Sequence, residues 1–124
     1  ILLTEDNKIN QKLMLRMLEK MGHQVEIATT GKEAVQKWER GDIDLILMDV
    51  QMPEMNGFEA TKIIRAKEGD QAHTPIIALT AYAMKGDRER CLEMGMDDYL
   101  SKPIKRQVLF NLLNKYSMEK SQGL

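Results

Sequence analysis

The stretch Leu45-Ile46-Leu47-Met48-Asp49-Val50-Gln51-Met52-Pro53-Glu54-Met55-Asn56-Gly57 opens on four apolar residues and breaks on an acid. An uninterrupted apolar run reads as a central parallel strand buried on both faces, because a strand with one wet face would alternate. Pro53 and Asn56-Gly57 punctuate the loop that follows. A helix is then expected from about Phe58 to Ala66. The unit is strand, loop, helix, with Asp49 at the carboxyl end of the strand.

The same alternation continues on either side. Upstream, Ile1–Thr4 is a short strand ending in acids, and Asn7 is a candidate N-cap for a helix reaching Met21, closed by Gly22. Ile9, Leu13, Met17 and Met21 recur every four residues and predict the apolar stripe of that helix. Val25–Ala28 reads as a strand, and Gly31–Arg40 as a helix packing Ala34, Val35 and Trp38. Downstream, Pro75–Leu79 is an apolar strand, Gly86–Met94 a helix ending at Gly95, Tyr99-Leu100 a short strand, and Ile104–Tyr116 an amphipathic helix. Strands alternating with helices imply right-handed crossovers and a doubly wound α/β fold: a parallel sheet with helices on both faces.

Composition narrows the function classes. The chain has 124 residues, with 43% hydrophobic and 30% charged, ordinary for one globular domain. Lys plus Arg is 18 and Asp plus Glu is 19, a net charge of −1, which argues against a polyanion binder and hence against direct nucleic-acid or membrane-surface contact. The charge is uneven: residues 42–59 hold five acids and no Lys or Arg, whereas residues 102–124 hold five bases and one acid. The single Cys91 excludes an internal disulfide, and with two His it leaves too few ligands for a Cys/His zinc site. No apolar run approaches the roughly 20 residues of a membrane span. A chain starting at Ile1 is expected to be a domain, residues 1–124, excised from something longer, cytoplasmic and monomeric, any membrane anchor lying elsewhere in the parent chain.

In a doubly wound sheet, ligands bind outside the carboxyl ends of the strands. The residues there are Glu5 and Asp6, Asp49, Thr80 and Lys102. Three carboxylates repel one another unless a hard cation sits among them, and Mg²⁺ takes oxygen ligands and pairs with phosphate. A carboxylate can also attack phosphorus to form an acyl phosphate. Lys and Thr then supply the groups that hold phosphoryl oxygens. Any one such Asp is ordinarily a turn or cap residue; the set of five, in strand order, carries the reading. Trp38, Cys91, His23 and His73 read as packing or surface residues.

Four blocks, Glu5-Asp6-Asn7, Leu47 through Gly57, Ala78-Leu79-Thr80-Ala81 and Asp97-Asp98-Tyr99-Leu100-Ser101-Lys102-Pro103, resemble the receiver domain of two-component response regulators over essentially the whole chain. The resemblance implies the flavodoxin-like strand order 2-1-3-4-5 with five helices. It also implies that Asp49 is the phosphoacceptor, taking a phosphoryl group from a phosphohistidine on a histidine kinase or a histidine phosphotransfer domain. Asp6, Asp49 and the backbone carbonyl of Gln51 would hold Mg²⁺ (or Mn²⁺). Glu5 would act through metal-bound water, as the longer variant of an acid that is more often Asp.

By the same resemblance, Lys102 and the backbone of Ala81 would bind the phosphoryl group, with Lys102-Pro103 cis. Thr80 and Tyr99 would form the coupled switch. Gln51 and Tyr82 occupy positions that tune acyl-phosphate lifetime. Leu15, about 200° round the first helix from Leu13, is a candidate docking anchor for the partner. Asn10-Gln11, the run Ala81–Asp87 and Met96–Tyr99 are similar to receivers of hybrid sensor histidine kinases, which makes the parent chain a kinase. The alternatives are a stand-alone or output-linked response regulator, an unphosphorylated pseudo-receiver, which would lack one of Asp6, Asp49 or Lys102, and an Asp-nucleophile phosphohydrolase. The last would need a second acid where Gln51 stands.

Overall fold

The computed structural model describes residues 1–50, 55–69, 73–80 and 87–122, the side chains of 87, 88 and 117–122 excepted. Its elements run β1 (Leu2–Thr4), α1 (Lys8–Lys20), β2 (Glu26–Ala28), α2 (Gly31–Glu39), β3 (Ile46–Asp49), α3 (Gly57–Glu68), β4 (Ile76–Thr80), α4 (Asp87–Glu93), β5 (Asp98–Ser101) and α5 (Arg106–Gln122). The strands pair in parallel in the order β2-β1-β3-β4-β5, the order the family resemblance implies. Strands β3 and β4 each reach one residue further than expected, so Asp49 and Thr80 are their last members.

The alternation of side chains across the sheet divides the core in two. Leu2, Ile46, Met48, Ile76 and Ala78 point to one face and pack with Ala34 and Val35 of α2, Ala60 and Ile64 of α3, and Cys91 of α4. Leu3, Leu47, Ile77, Leu79 and Leu100 point to the other, against Met14 and Leu18 of α1 and Leu109 and Leu113 of α5. Strands covered on both faces need apolar residues at every position, which is the reason the run ending at Asp49 is unbroken. Helix starts are set by side-chain caps: Asn7 Oδ1 accepts from the Ile9 and Asn10 amides, Thr30 Oγ1 from Glu33, and Asn56 Oδ1 from Glu59. No helix among the described residues is long and apolar enough to cross a membrane.

The expected stripe of α1 needs correction. Met14 and Leu18 are its buried residues, Met17 and Met21 pack at the edge of the core, and Ile9 and Leu13 are 71% and 55% exposed. A four-residue step advances about 400° on a helix, so the series drifts about 40° each time and spirals off the buried face. Leu15, expected to face outward, is half-buried. The exposed apolar residues of α1 are therefore Ile9 and Leu13.

At the amino ends of the strands, Arg65 ties α3 to two loops. Its guanidinium reaches Glu68 Oε1 at 2.6 Å, Asp97 Oδ2 at 2.8 Å, Gly95 O at 2.8 Å and Thr74 O at 2.9 Å. Asp97 Oδ2 also accepts from the Ile76 amide at 2.8 Å, and His73 lies 2.5 Å from its other oxygen. Trp38 donates from Nε1 to Thr74 Oγ1 at 3.0 Å, so its role is packing and anchoring.

Candidate active site

Adjacent strands bring the acids together. β1 lies beside β3 with Thr4 opposite Met48, so the residue after β1 meets the last residue of β3. Glu5 is 1% exposed and Asp49 is 3% exposed, while Asp6 faces solvent. One carboxylate oxygen from each of Glu5, Asp6 and Asp49 lies within 4.8 Å of the others, the one such acid or Cys/His cluster among the described residues. From the far side, the Lys102 amide donates to Thr80 O at 2.7 Å just beyond β4 and β5. Its ammonium then reaches Asp49 Oδ2 at 2.9 Å and Glu5 Oε2 at 3.1 Å. The Lys102–Pro103 peptide is cis.

The electrostatics follow from burial and charge. Burial and the neighbouring Asp49 carboxylate push the Glu5 carboxyl above its usual range, against the pull of its bonds to Asn10 and Lys102. Burial alone would lower the Lys102 ammonium, but its contacts with Asp49 and Glu5 outweigh burial and hold it above the ordinary lysine value. Among the described residues the site is short of positive charge: two buried carboxylates and a nearby exposed one face a single ammonium. Its all-oxygen donor set fits a hard divalent cation.

The backbone beneath Asp49 is closely supported. A β-carbon on Gly57 would fall 2.4 Å from the Asp49 carbonyl oxygen, so only glycine lets the start of α3 approach that strand end. Thr80 is buried at the end of β4. Tyr99 is half-buried and packs on the core layer shared with α2, α3 and α4. Gln51, Ala81 and Tyr82 lie outside the described residues. Thus Glu5, Asp6, Asp49 and Lys102 are brought into one cluster, and Leu15 is not part of it.

Two contributors escaped prediction from sequence. Asn10 Nδ2 donates to Glu5 Oε1 at 3.2 Å, and Gln11 Nε2 to the Glu5 carbonyl at 2.5 Å. The pair stood out in the sequence as a family likeness, and its spacing from Glu5, about one helical turn past the Asn7 cap, was the available signal. Beside them a cleft of about 330 Å³ runs between α1 and the loop joining β5 to α5, lined among others by Glu5, Leu13, Met17, Lys102, Pro103 and Ile104. A larger groove, about 1320 Å³, lies at the opposite strand ends, and none of the expected site residues lines it.

A fold with this strand order and an acid cluster facing one lysine at its carboxyl edge defines a class, and the comparisons agree on it. Residues 1–114 match the model of the response regulator receiver domain. The hybrid signal transduction histidine kinase G of Dictyostelium discoideum is 47% identical over 94% of this chain, which spans 3% of that protein's length. The receiver domain of sensor histidine kinase PA1611 from Pseudomonas aeruginosa, crystallised with magnesium in its active-site cleft, matches with a TM-score of 0.84 and 47% identity over 93% of both chains. A chain of the Saccharomyces cerevisiae co-crystal of phosphotransfer protein Ypd1 with the receiver domain of Ssk1 matches with a TM-score of 0.90 and 35% identity, covering 96% of this chain and 88% of that one. The chain belongs to the response regulator receiver domain family.

Proposed function

We propose that this domain accepts a phosphoryl group from a phosphohistidine onto Asp49, in a Mg²⁺-dependent reaction, and changes conformation in response. The observation that carries the reading is a buried Asp49 carboxylate 2.9 Å from the Lys102 ammonium and clustered with Glu5 and Asp6. An Asp49 oxygen forms the new P–O bond while the P–N bond to the donor imidazole breaks, and the imidazole nitrogen leaves with the electron pair. Little covalent help is needed beyond positioning and charge neutralisation. Lys102 would pair with a phosphoryl oxygen, and Thr80 with another.

Asp6 and Asp49, with the Gln51 carbonyl, would hold Mg²⁺ directly, and Glu5 through water. The ion when bound would neutralise carboxylates and phosphoryl oxygens that otherwise repel. The phosphoryl oxygens would draw Thr80 inward and let Tyr99 turn into the space, shifting the face of α4, β5 and α5.

The docking face for the donor is assigned to Ile9 and Leu13 rather than Leu15, since these are the exposed apolar residues of α1 and Leu13 lines the cleft leading to Lys102. The donor is a histidine kinase or histidine phosphotransfer domain. The parent chain is read as a cytoplasmic-facing part of a hybrid sensor histidine kinase, on the strength of relatives such as the Dictyostelium kinase. Incubation with acetyl phosphate and Mg²⁺ tests the reading: intact mass should rise by one phosphoryl group, and excess chelator should abolish the gain.

A further inference from the structure

The Asn10-Gln11 pair singled out in the sequence acts on the longer of the two N-terminal acids. Glu5 has one more torsion than an Asp would have at this place, so its carboxylate must be fixed by partners if one oxygen is to face the cation. Oε1 accepts from the Asn7 amide at 3.3 Å and from Asn10 Nδ2 at 3.2 Å. Oε2 is left toward Lys102 Nζ, at 3.1 Å. Gln11 Nε2 anchors the Glu5 carbonyl at 2.5 Å, which pins the main chain as well. The cap is a separate device, made by Asn7 Oδ1 on the Ile9 and Asn10 amides, so the Asn10 side chain is free of it and spent on Glu5.

We infer that Asn10 is a positioning residue for the cation site: its amide holds the Glu5 carboxylate by Oε1 and so fixes it in the cluster with Asp6 and Asp49. The inference rests on the proposed Mg²⁺ site. Without the amide, Oε1 keeps one donor and the carboxylate gains freedom that cation binding must remove. Residues that orient a metal-binding group change affinity although they never touch the ion.

Calorimetric titration of the intact domain with Mg²⁺ tests it, run on the unsubstituted protein, Asn10→Ala, Glu5→Ala and the double variant. Asn10→Ala should weaken Mg²⁺ binding about tenfold, the low end for such orienting groups. In the Glu5→Ala background the same change should have no further effect, which a general loss of helix stability would not reproduce. Asn10→Gln, which keeps the amide a methylene further out, should fall between and serves if Asn10→Ala folds poorly. Unchanged affinity in Asn10→Ala, or an equal loss in the Glu5→Ala background, would overturn the inference while leaving the Mg²⁺ site standing. Failure of the unsubstituted domain to bind Mg²⁺ would instead remove the site itself, and the inference with it.

Discussion

The Lys102 ammonium touches both buried carboxylates, Asp49 and Glu5. Removing it leaves two desolvated acids facing each other. Because its side chain is 23% exposed, the cost of Lys102→Ala should be about 2–3 kcal/mol, somewhat below the range for breaking a fully buried pair. Mg²⁺ should recover much of that loss by supplying the missing charge, while phosphoryl transfer stays slow. Urea unfolding with and without Mg²⁺ checks the first part and intact mass over time the second. At this scale the acids were legible from sequence because strand ends collect function in a doubly wound sheet. The bonds of Asn10 and Gln11 to Glu5 were not, because they depend on where the Asn7 cap sets the first turn of α1.

At the scale of elements, the strands could be read almost to the residue, since burial on both faces writes itself as an apolar run. α1 could not. Its apolar residues are plentiful, and the four-residue series beginning at Ile9 is regular, yet the buried pair is Met14 and Leu18. Ile9 and Leu13 sit roughly 140° and 100° round the helix from Met14, off the face that packs on the sheet, so nothing in the core covers them. Those two residues are expected to meet the phosphodonor. The double substitution Ile9→Ser, Leu13→Ser should slow transfer from a histidine phosphotransfer protein at least tenfold and leave transfer from acetyl phosphate unchanged. Leu15→Ala should alter neither rate. Comparing the two donors by time-resolved mass measurement separates docking from chemistry.

Across the whole molecule, the two ends of the sheet do different work. The carboxyl end gathers the charged site; the amino end is tied by Arg65, Glu68 and Asp97. Burial alone would raise the Glu68 carboxyl, but the Thr74 amide and Arg65 outweigh it and hold it below the ordinary value of 4.5. A carboxyl depressed on folding stabilises the folded state above its unfolded value, and that contribution fades as pH falls through the folded value. The stability gap between the unsubstituted domain and Glu68→Gln should therefore be full near neutrality and shrink steadily below about pH 4.5, measured by urea unfolding across that range. Arg65 and Glu68 are one turn apart on α3 and could pair locally, but the clamp was not legible from sequence because Asp97, 29 residues beyond Glu68, joins them only through tertiary packing.

Asp49 is the residue proposed to carry the phosphoryl group. Phosphorylation of the Mg²⁺-loaded domain by a phosphohistidine donor, followed by borohydride reduction and peptide mass mapping, locates the group directly, because an aspartyl phosphate is reduced to homoserine. Homoserine at position 49, and no label in Asp49→Asn, is the predicted result; homoserine at another acid, or undiminished phosphorylation of Asp49→Asn, would contradict it.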